Sequence, residues 1–537
     1  MANTENTKLK IWLPFLLSAM LVAGMFIGFK MGGKMPRQSF FNTDKPTPIQ
    51  EITTLIKERY VDDVNVGDLT DTAVMAMLAR LDPHSTFIPA KKIQQVNDEI
   101  KGSFYGIGVE FIMLDDTLHV TNVLPKGPAA VAGLQIGDKI LKAADSTLSG
   151  KKLEVENIRQ VLRGSLGSSV TVQLLRGKTL QSATIKRDII PLESLDAGYM
   201  ITDSIGFIRL NRFSTQTYKE FMKRLLELKS KGMKNLILDL RDNGGGVLDE
   251  AVEIADEFLA GDKLITYTEG KHVQKKEYRC RRKGQFETGG LVVLVNENTA
   301  SASEILLGAL QDWDRATLVG RRTFGKGLVQ DQYTLSDNSA LRLTTARYFT
   351  PIGRSIQRSY QMGNAAYYHE MIDRYAGGEL VNGNRSKADT SKKFKTMGGK
   401  TVYGNGGITP DYFVATDTAA FGKTTAKLFS KGTITDFGYR YFMLNSKSLL
   451  NYKSAADFVK NYSLDTYSWL TFEEMALVDS VGVKNLSSKE RMYIDDALKL
   501  SLARQLFRNE GFYETLNQKD AVVRKALEIL KALPITK

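Results

Sequence analysis

Between about residues 191 and 350 the chain alternates short apolar runs with helical stripes, and this rhythm constrains the fold more than any other feature. Ile205–Leu210 reads as a strand and Tyr218–Leu228 as a helix. Leu236–Leu240 has the length and character of a buried strand, and Leu248, Val252, Ala255 and Leu259 follow at helical spacing. Leu291–Val295 is another strand, with Ser303–Leu310 as the next helix. Repeated strand–helix–strand units of this kind build an α/β core.

The chain has 537 residues, enough for three or four domains, so the core needs neighbours. Residues 49–99 read as helical: Ile52, Leu55, Ile56 and Tyr60 recur at helical spacing, as do Val74, Met77, Leu78 and Leu81. From 100 to 190 the pattern changes to short strands. They are Val109–Ile112, Leu118–Val123, Lys139–Ala143, Val170–Leu175 and Ala183–Lys186, with a short helix at Ile158–Leu162 and glycines between. The core runs over 191–359 and resumes at 401–415. Residues 360–400, poor in large apolar groups, read as an irregular excursion. Residues 416–537 read as mostly helical, with Ile494, Ala497, Leu498, Leu502 and Leu506 forming an apolar stripe.

At the N-terminus a short tail, 1–10, precedes an uncharged run from Ile11 to Phe29. Its length suits a bilayer, and neither an Ala-x-Ala site nor a lipobox cysteine follows it. The expectation is a single-pass membrane anchor over 11–29, with a proline-containing linker over 30–48. The net charge of +13 comes from scattered lysines and arginines. It reads as solvated surface with some affinity for anionic phospholipid. Without a recognition motif or a basic–aromatic platform, a nucleic-acid role is excluded. Cys280 is the single cysteine, so an intramolecular disulfide and a Cys-based metal site are both excluded. The histidines, His84, His119, His272 and His369, lack metal-ligand spacing, and no metal site is expected.

Two segments fit one catalytic idea. Asn298-Thr-Ala-Ser301-Ala302-Ser-Glu304 puts a serine where a strand turns into a helix, and Thr323-Phe-Gly325-Lys326-Gly327-Leu-Val-Gln330 puts a lysine between glycines. A lone serine at such a turn is most often a helix cap, and a lone loop lysine is usually solvated. Together they offer a nucleophile and a base, because a desolvated lysine can activate a serine without histidine. Gln330 is placed to hold the lysine amine. The stretch from Gly320 to Gly327 nearly matches a phosphate-binding loop, but it lacks the following Ser or Thr and leads into a strand, so that reading is rejected. Arg241-Asp-Asn-Gly244-Gly245-Gly246 follows a strand and can aim N–H groups at an oxyanion. Tyr105-Gly106-Ile107-Gly108-Val109 can form an N–H nest for a carboxylate.

With these residues the chain resembles the carboxy-terminal processing peptidases, or tail-specific proteases, over roughly 50–415. Leu81-Asp82-Pro83-His84-Ser85, Tyr348-Phe-Thr-Pro351 and Gly406-Gly-Ile-Thr-Pro-Asp411 match further family motifs. The resemblance implies an α/β fold: a crotonase-like protease core with an inserted PDZ domain at 100–190, an N-terminal helical segment and a C-terminal helical extension. It implies Ser301 as nucleophile, Lys326 as general base and Gln330 as its orienting partner. The N–H of Ala302 and one from the Gly244–Gly245 turn would make the oxyanion hole, and Gly106, Ile107 and Gly108 would bind peptide. It implies protein substrates with free C-termini, no metal, no ATP or other cofactor, and an extracytoplasmic catalytic part anchored in a bacterial membrane. A homo-oligomer or an adaptor stays open. The non-enzymatic alternative is a membrane-anchored PDZ scaffold with an inactive protease core.

Overall fold

The computed structural model describes residues 12–15, 17–25, 47–150, 153–383, 392–416 and 422–532. The chain divides into two units, Met1–Ala73 and Val74–Lys537, with the boundary inside the helix Val66–Leu78. In the first unit, residues 12–15 and 17–25 are helical, and a second helix spans Pro48–Arg59. Among the described residues no helix is long and apolar enough to cross a membrane, and the expected single-pass anchor and the localisation built on it are corrected on that finding. The tail, the ends of the 11–29 segment and nearly all of the 30–48 linker lie outside the described residues.

The core of the second unit is a six-stranded sheet. Its order is Leu195–Met200, Ile205–Leu210, Asn235–Asp239, Leu291–Val295, Thr317–Gly320 and Tyr412–Phe413. The first pair is antiparallel and every later pair parallel. Helices Thr217–Ser230, Leu248–Asp256 and Ala302–Asp312 supply the crossovers. They bury Phe221, Leu225, Ile254 and Leu306 against Ile208, Leu238 and Val293.

Parallel strands are buried on both faces, so the second face also needs a cover. Leu291–Val295 is apolar at every position and fully buried. The cover comes from the far end of the chain. Helix Ala521–Ala532 lays Val522, Val523, Ala526 and Leu530 against Phe207, Ile237, Val292 and Leu294. The C-terminal region is therefore part of the core and not an appendage. Its other helices, among them Thr433–Leu449, Thr466–Val478 and Ser488–Asn517, form a bundle around Phe437, Phe472 and Leu498.

A second, antiparallel sheet carries Leu328–Thr334 and Ala340–Phe349, and Thr86–Ile88 pairs with the latter strand. This strand interrupts the 49–99 region that the sequence reading made helical throughout. The 360–400 excursion also holds more order than its composition suggested. A helix spans Asn364–Ala376, buried through Tyr367 and Arg374 seven residues apart, and Lys393–Lys395 pairs with Thr401–Tyr403. Residues 384–391 lie outside the described residues.

The strands at 109–114, 117–123, 139–143, 169–176 and 179–186 form a separate sheet around Val120, Ile140, Val172 and Ile158. The strand Val109–Leu114 is its edge. Ser103–Gly106 pairs with Asp188–Pro191, so the domain enters and leaves through one two-stranded ribbon.

Val523 is fully buried between helix and sheet, so Val523→Asp is expected to cost about 3 kcal/mol or more. The exposed Glu528→Ala should stay within about 0.5 kcal/mol. Urea unfolding of the two variants checks this, and equal midpoints would mean the helix is not a load on the core.

Candidate active site

Ser301 sits at the junction between the loop after Leu291–Val295 and the helix Ala302–Asp312. Its backbone has φ 57° and ψ −117°, a conformation that costs a non-glycine residue about 1–3 kcal/mol. The hydroxyl makes no capping bond, although the residue occupies the cap position. The strain is held by the surroundings. Ser301 N–H donates to Glu304 Oε2 at 2.9 Å, and Ala300 N–H donates to Asn243 O at 3.0 Å.

Glu304 reaches further. The same Oε2 accepts the Lys326 N–H at 2.9 Å, while Oε1 accepts Gly325 N–H at 2.8 Å and Thr323 Oγ1–H at 2.5 Å. The backbones of Ser301 and Lys326 therefore stand within two hydrogen-bond lengths of each other. Glu304 is fully buried. Burial pushes its carboxyl up to about 7 against the pull of the four donors. On the other side of this junction the Tyr348 hydroxyl lies 3.1 Å from Ser301 O and 2.7 Å from Lys326 O, one donor bridging both carbonyls.

Burial lowers the Lys326 ammonium below the ordinary lysine value, and Arg342 pushes it the same way. Asp82 and Glu304 pull it back up. The environment thus favours a neutral amine. Gln330, expected to hold that amine, instead donates to Thr344 Oγ1 at 3.2 Å, and Thr344 Oγ1–H donates to Asp82 Oδ1 at 3.1 Å. A register shift between Val329 and Gln330 in the strand pairing accompanies this aim. His84 is held near 4 by burial, with the Lys326 and Arg358 charges acting the same way, so it is neutral at pH 7. Its Nε2 pairs with Tyr367 Oη at 2.9 Å, a structural bond.

The glycine turn lies beside Ser301 because Asn243 binds it there. Asn243 Nδ2 donates to Leu210 O at 3.0 Å, and its Oδ1 accepts the Gly245 N–H at 2.9 Å. That bond engages the Gly245 amide, expected among the oxyanion donors, with Asn243 in this structure. Gly245 has a packing role: with φ 93°, a Cβ there would meet Ala300 O and Ala302 N at 2.7 Å and Ser301 Cβ at 2.8 Å. The Gly244 and Ala302 amides donate to nothing among the described residues. Behind the turn, Arg241 pairs with Asp239 at 2.7 Å and with Asp520 at 2.6 Å, which ties it to the C-terminal helices. Burial raises the Asp239 carboxyl, but Arg241 and Arg209 overcome that and hold it at about 2.

In the smaller domain, Gly108 has φ 76°, and a Cβ there would sit 3.1 Å from Ile190 Cδ1. The Ile107 and Gly108 carbonyls accept from Ala129 and Leu124, while their N–H groups donate to nothing among the described residues. They lie at the start of the edge strand Val109–Leu114. No group of acidic, histidine or cysteine side chains among the described residues could hold a metal ion.

Residues 204–362 match the model of Peptidase family S41, and residues 106–186 match that of the PDZ domain. The chain is 34% identical over 339 residues to the carboxy-terminal-processing protease of Bartonella bacilliformis, covering 62% of this chain and 77% of that one. The chain belongs to the carboxy-terminal processing peptidases of family S41. It is a serine-type peptidase with a PDZ domain. A probable CtpA-like serine protease of Staphylococcus saprophyticus is 30% identical over 361 residues, 65% of this chain and 73% of that one. The structure of a photosystem II D1 C-terminal processing protease aligns at 30% identity and a TM-score of 0.33, over 56% of this chain and 82% of that one.

Glu304, Asn243, Thr323 and Tyr348 were not singled out from sequence. All four stand inside motifs already noted, but spacing alone does not say which member of a motif is the tie. Gly245→Ala is expected to cut kcat for peptide cleavage by about 100-fold or more, because the methyl drives into the nucleophile turn. Gly244→Ala, whose methyl meets nothing within 4 Å, should stay within about threefold. Steady-state kinetics on the two folded variants decides, and equal losses would sink the assignment.

Proposed function

We propose that this peptidase cleaves by a Ser301/Lys326 dyad and selects proteins by their free C-termini through its PDZ domain. The observation that supports the reading is the shared Glu304 Oε2, which accepts the backbone N–H of both Ser301 and Lys326. Neutral Lys326 takes the Ser301 hydroxyl proton as Oγ attacks the peptide carbonyl. The Ala302 and Gly244 amides receive the oxyanion, beside the positive end of the helix Ala302–Asp312. Collapse expels the amine, which takes the proton from Lys326, and water then hydrolyses the acyl-enzyme by the same route. Gln330 acts through Thr344 and Asp82, whose carboxylate sets how readily the amine gives up its charge.

Ser301→Ala and Lys326→Ala should each abolish cleavage while leaving the protein folded, and the double variant should be little worse than either single one. Wild-type kcat should rise with pH through the lowered lysine pKa, since only the neutral amine is a base. Near-normal turnover by Lys326→Ala, or a rate flat with pH while chemistry limits, would refute the dyad.

At the PDZ domain the Ile107 and Gly108 amides take the carboxylate, and the edge strand Val109–Leu114 pairs with the peptide backbone. Amidation removes charge-assisted bonds worth about 1.5–3 kcal/mol. Calorimetry on Ser301→Ala protein should therefore show an apolar-ended peptide acid binding roughly tenfold or more above its amide. Equal affinities would leave a peptidase that does not read C-termini.

A further inference from the structure

Behind the lysine loop lies a polar cavity of about 570 Å³ that the proposed chemistry does not use. Its lining includes Arg322, Arg347, Arg358, Lys392 and a single acidic residue, Glu370. Arg322 is satisfied: Nε and Nη2 bind Glu379 at 2.7 and 2.8 Å, and Nη1 donates to Gly406 O. The other three cations are not. Arg347 and Lys392 have no carboxylate partner among the described residues, and Arg347 donates only to Tyr360 Oη, at 3.1 Å. Arg358 is 1% exposed and wedged against Phe324 and Tyr367, 4.2 and 4.0 Å from the ring centroids. Its one ion pair, Nη1 to Glu370, is long at 3.5 Å. Its Nε and Nη2 have no hydrogen-bond partner.

A desolvated guanidinium with idle donors is costly, and its planar fork matches an oxyanion. We propose that this cavity is an oxyanion-binding site that takes a carboxylate or a phosphate between Arg358, Arg347 and Lys392. The hydroxyls of Ser355, Ser359 and Tyr360 line the same space and can complete the shell. The site is built into the fold of the lysine loop. Arg358 N–H donates to Gly325 O at 2.9 Å, and Gln357 Oε1 accepts the Gly327 N–H at 2.7 Å. An occupant would therefore brace the two residues that flank Lys326.

The test uses the full chain as Ser301→Ala, so that binding is read without turnover. Inorganic phosphate is titrated in chloride buffer at constant ionic strength, with calorimetry and thermal unfolding as readouts. Saturable binding and a raised Tm are expected. Arg347→Gln with Lys392→Gln, both exposed and safe for folding, should weaken binding by about tenfold or more and leave the Tm in chloride unchanged. A second arm adds a C-terminally amidated peptide carrying one glutamate, or glutamine in its place. Displacement of phosphate by the glutamate peptide alone assigns the site to an acidic side chain of a peptide. Phosphate binding that neither peptide disturbs assigns it to the free ion. Binding equal in the Ser301→Ala parent and the same chain carrying both substitutions, or no binding by either phosphate or the glutamate peptide, overturns the proposal.

Discussion

The Glu304 carboxylate accepts four hydrogen bonds from two chain segments, the turn at Ser301 and the loop Thr323–Lys326, and the geometry around Ser301 follows from it. A buried carboxylate costs several kcal/mol in desolvation. Four hydrogen bonds offset part of that cost, and the carboxyl is still pushed up to about 7. The strained backbone of Ser301 and the position of the lysine loop are thus stabilised by the same atom pair.

Around that junction each support comes from a different part of the chain. Asn243 brings the glycine turn, Tyr348 brings the second sheet, and Arg374 reaches from the 364–376 helix to the carbonyls of Arg322 and Thr323 at 2.6 and 3.1 Å. Arg241 connects the turn to Asp520. A site held from so many directions is preorganised, and small backbone displacements are resisted by buried side-chain hydrogen bonds and ion pairs.

The elements between 191 and 350 were legible because their periodicity is strong: the expected strand at 205–210 and helix at 218–228 appear as Ile205–Leu210 and Thr217–Ser230. The PDZ domain strands were legible for the same reason. The helix at 364–376 was not, because one of its two buried positions is an arginine, which reads as surface in a sequence. The bond of Gln330 to Thr344 was not legible, because it goes with a register shift in the strand pairing that nothing in the local sequence marks. The C-terminal helix could be seen but not placed. The stripe read from sequence, Ile494 to Leu506, belongs to the helix Ser488–Asn517, while the cover of Leu291–Val295 comes from the next helix, Ala521–Ala532.

That last pairing has a consequence for how the polypeptide is made. The strands that need the cover are synthesised more than two hundred residues before Val522 and Val523, which provide it. At about 5–20 residues per second, the bare face of Ile237, Val292 and Leu294 waits on the order of ten seconds or more for its lid. Arg241 lacks its Asp520 partner over the same interval. The nascent chain therefore carries Ser301 long before the sheet beneath it is complete, and an unfinished copy presents an exposed apolar surface.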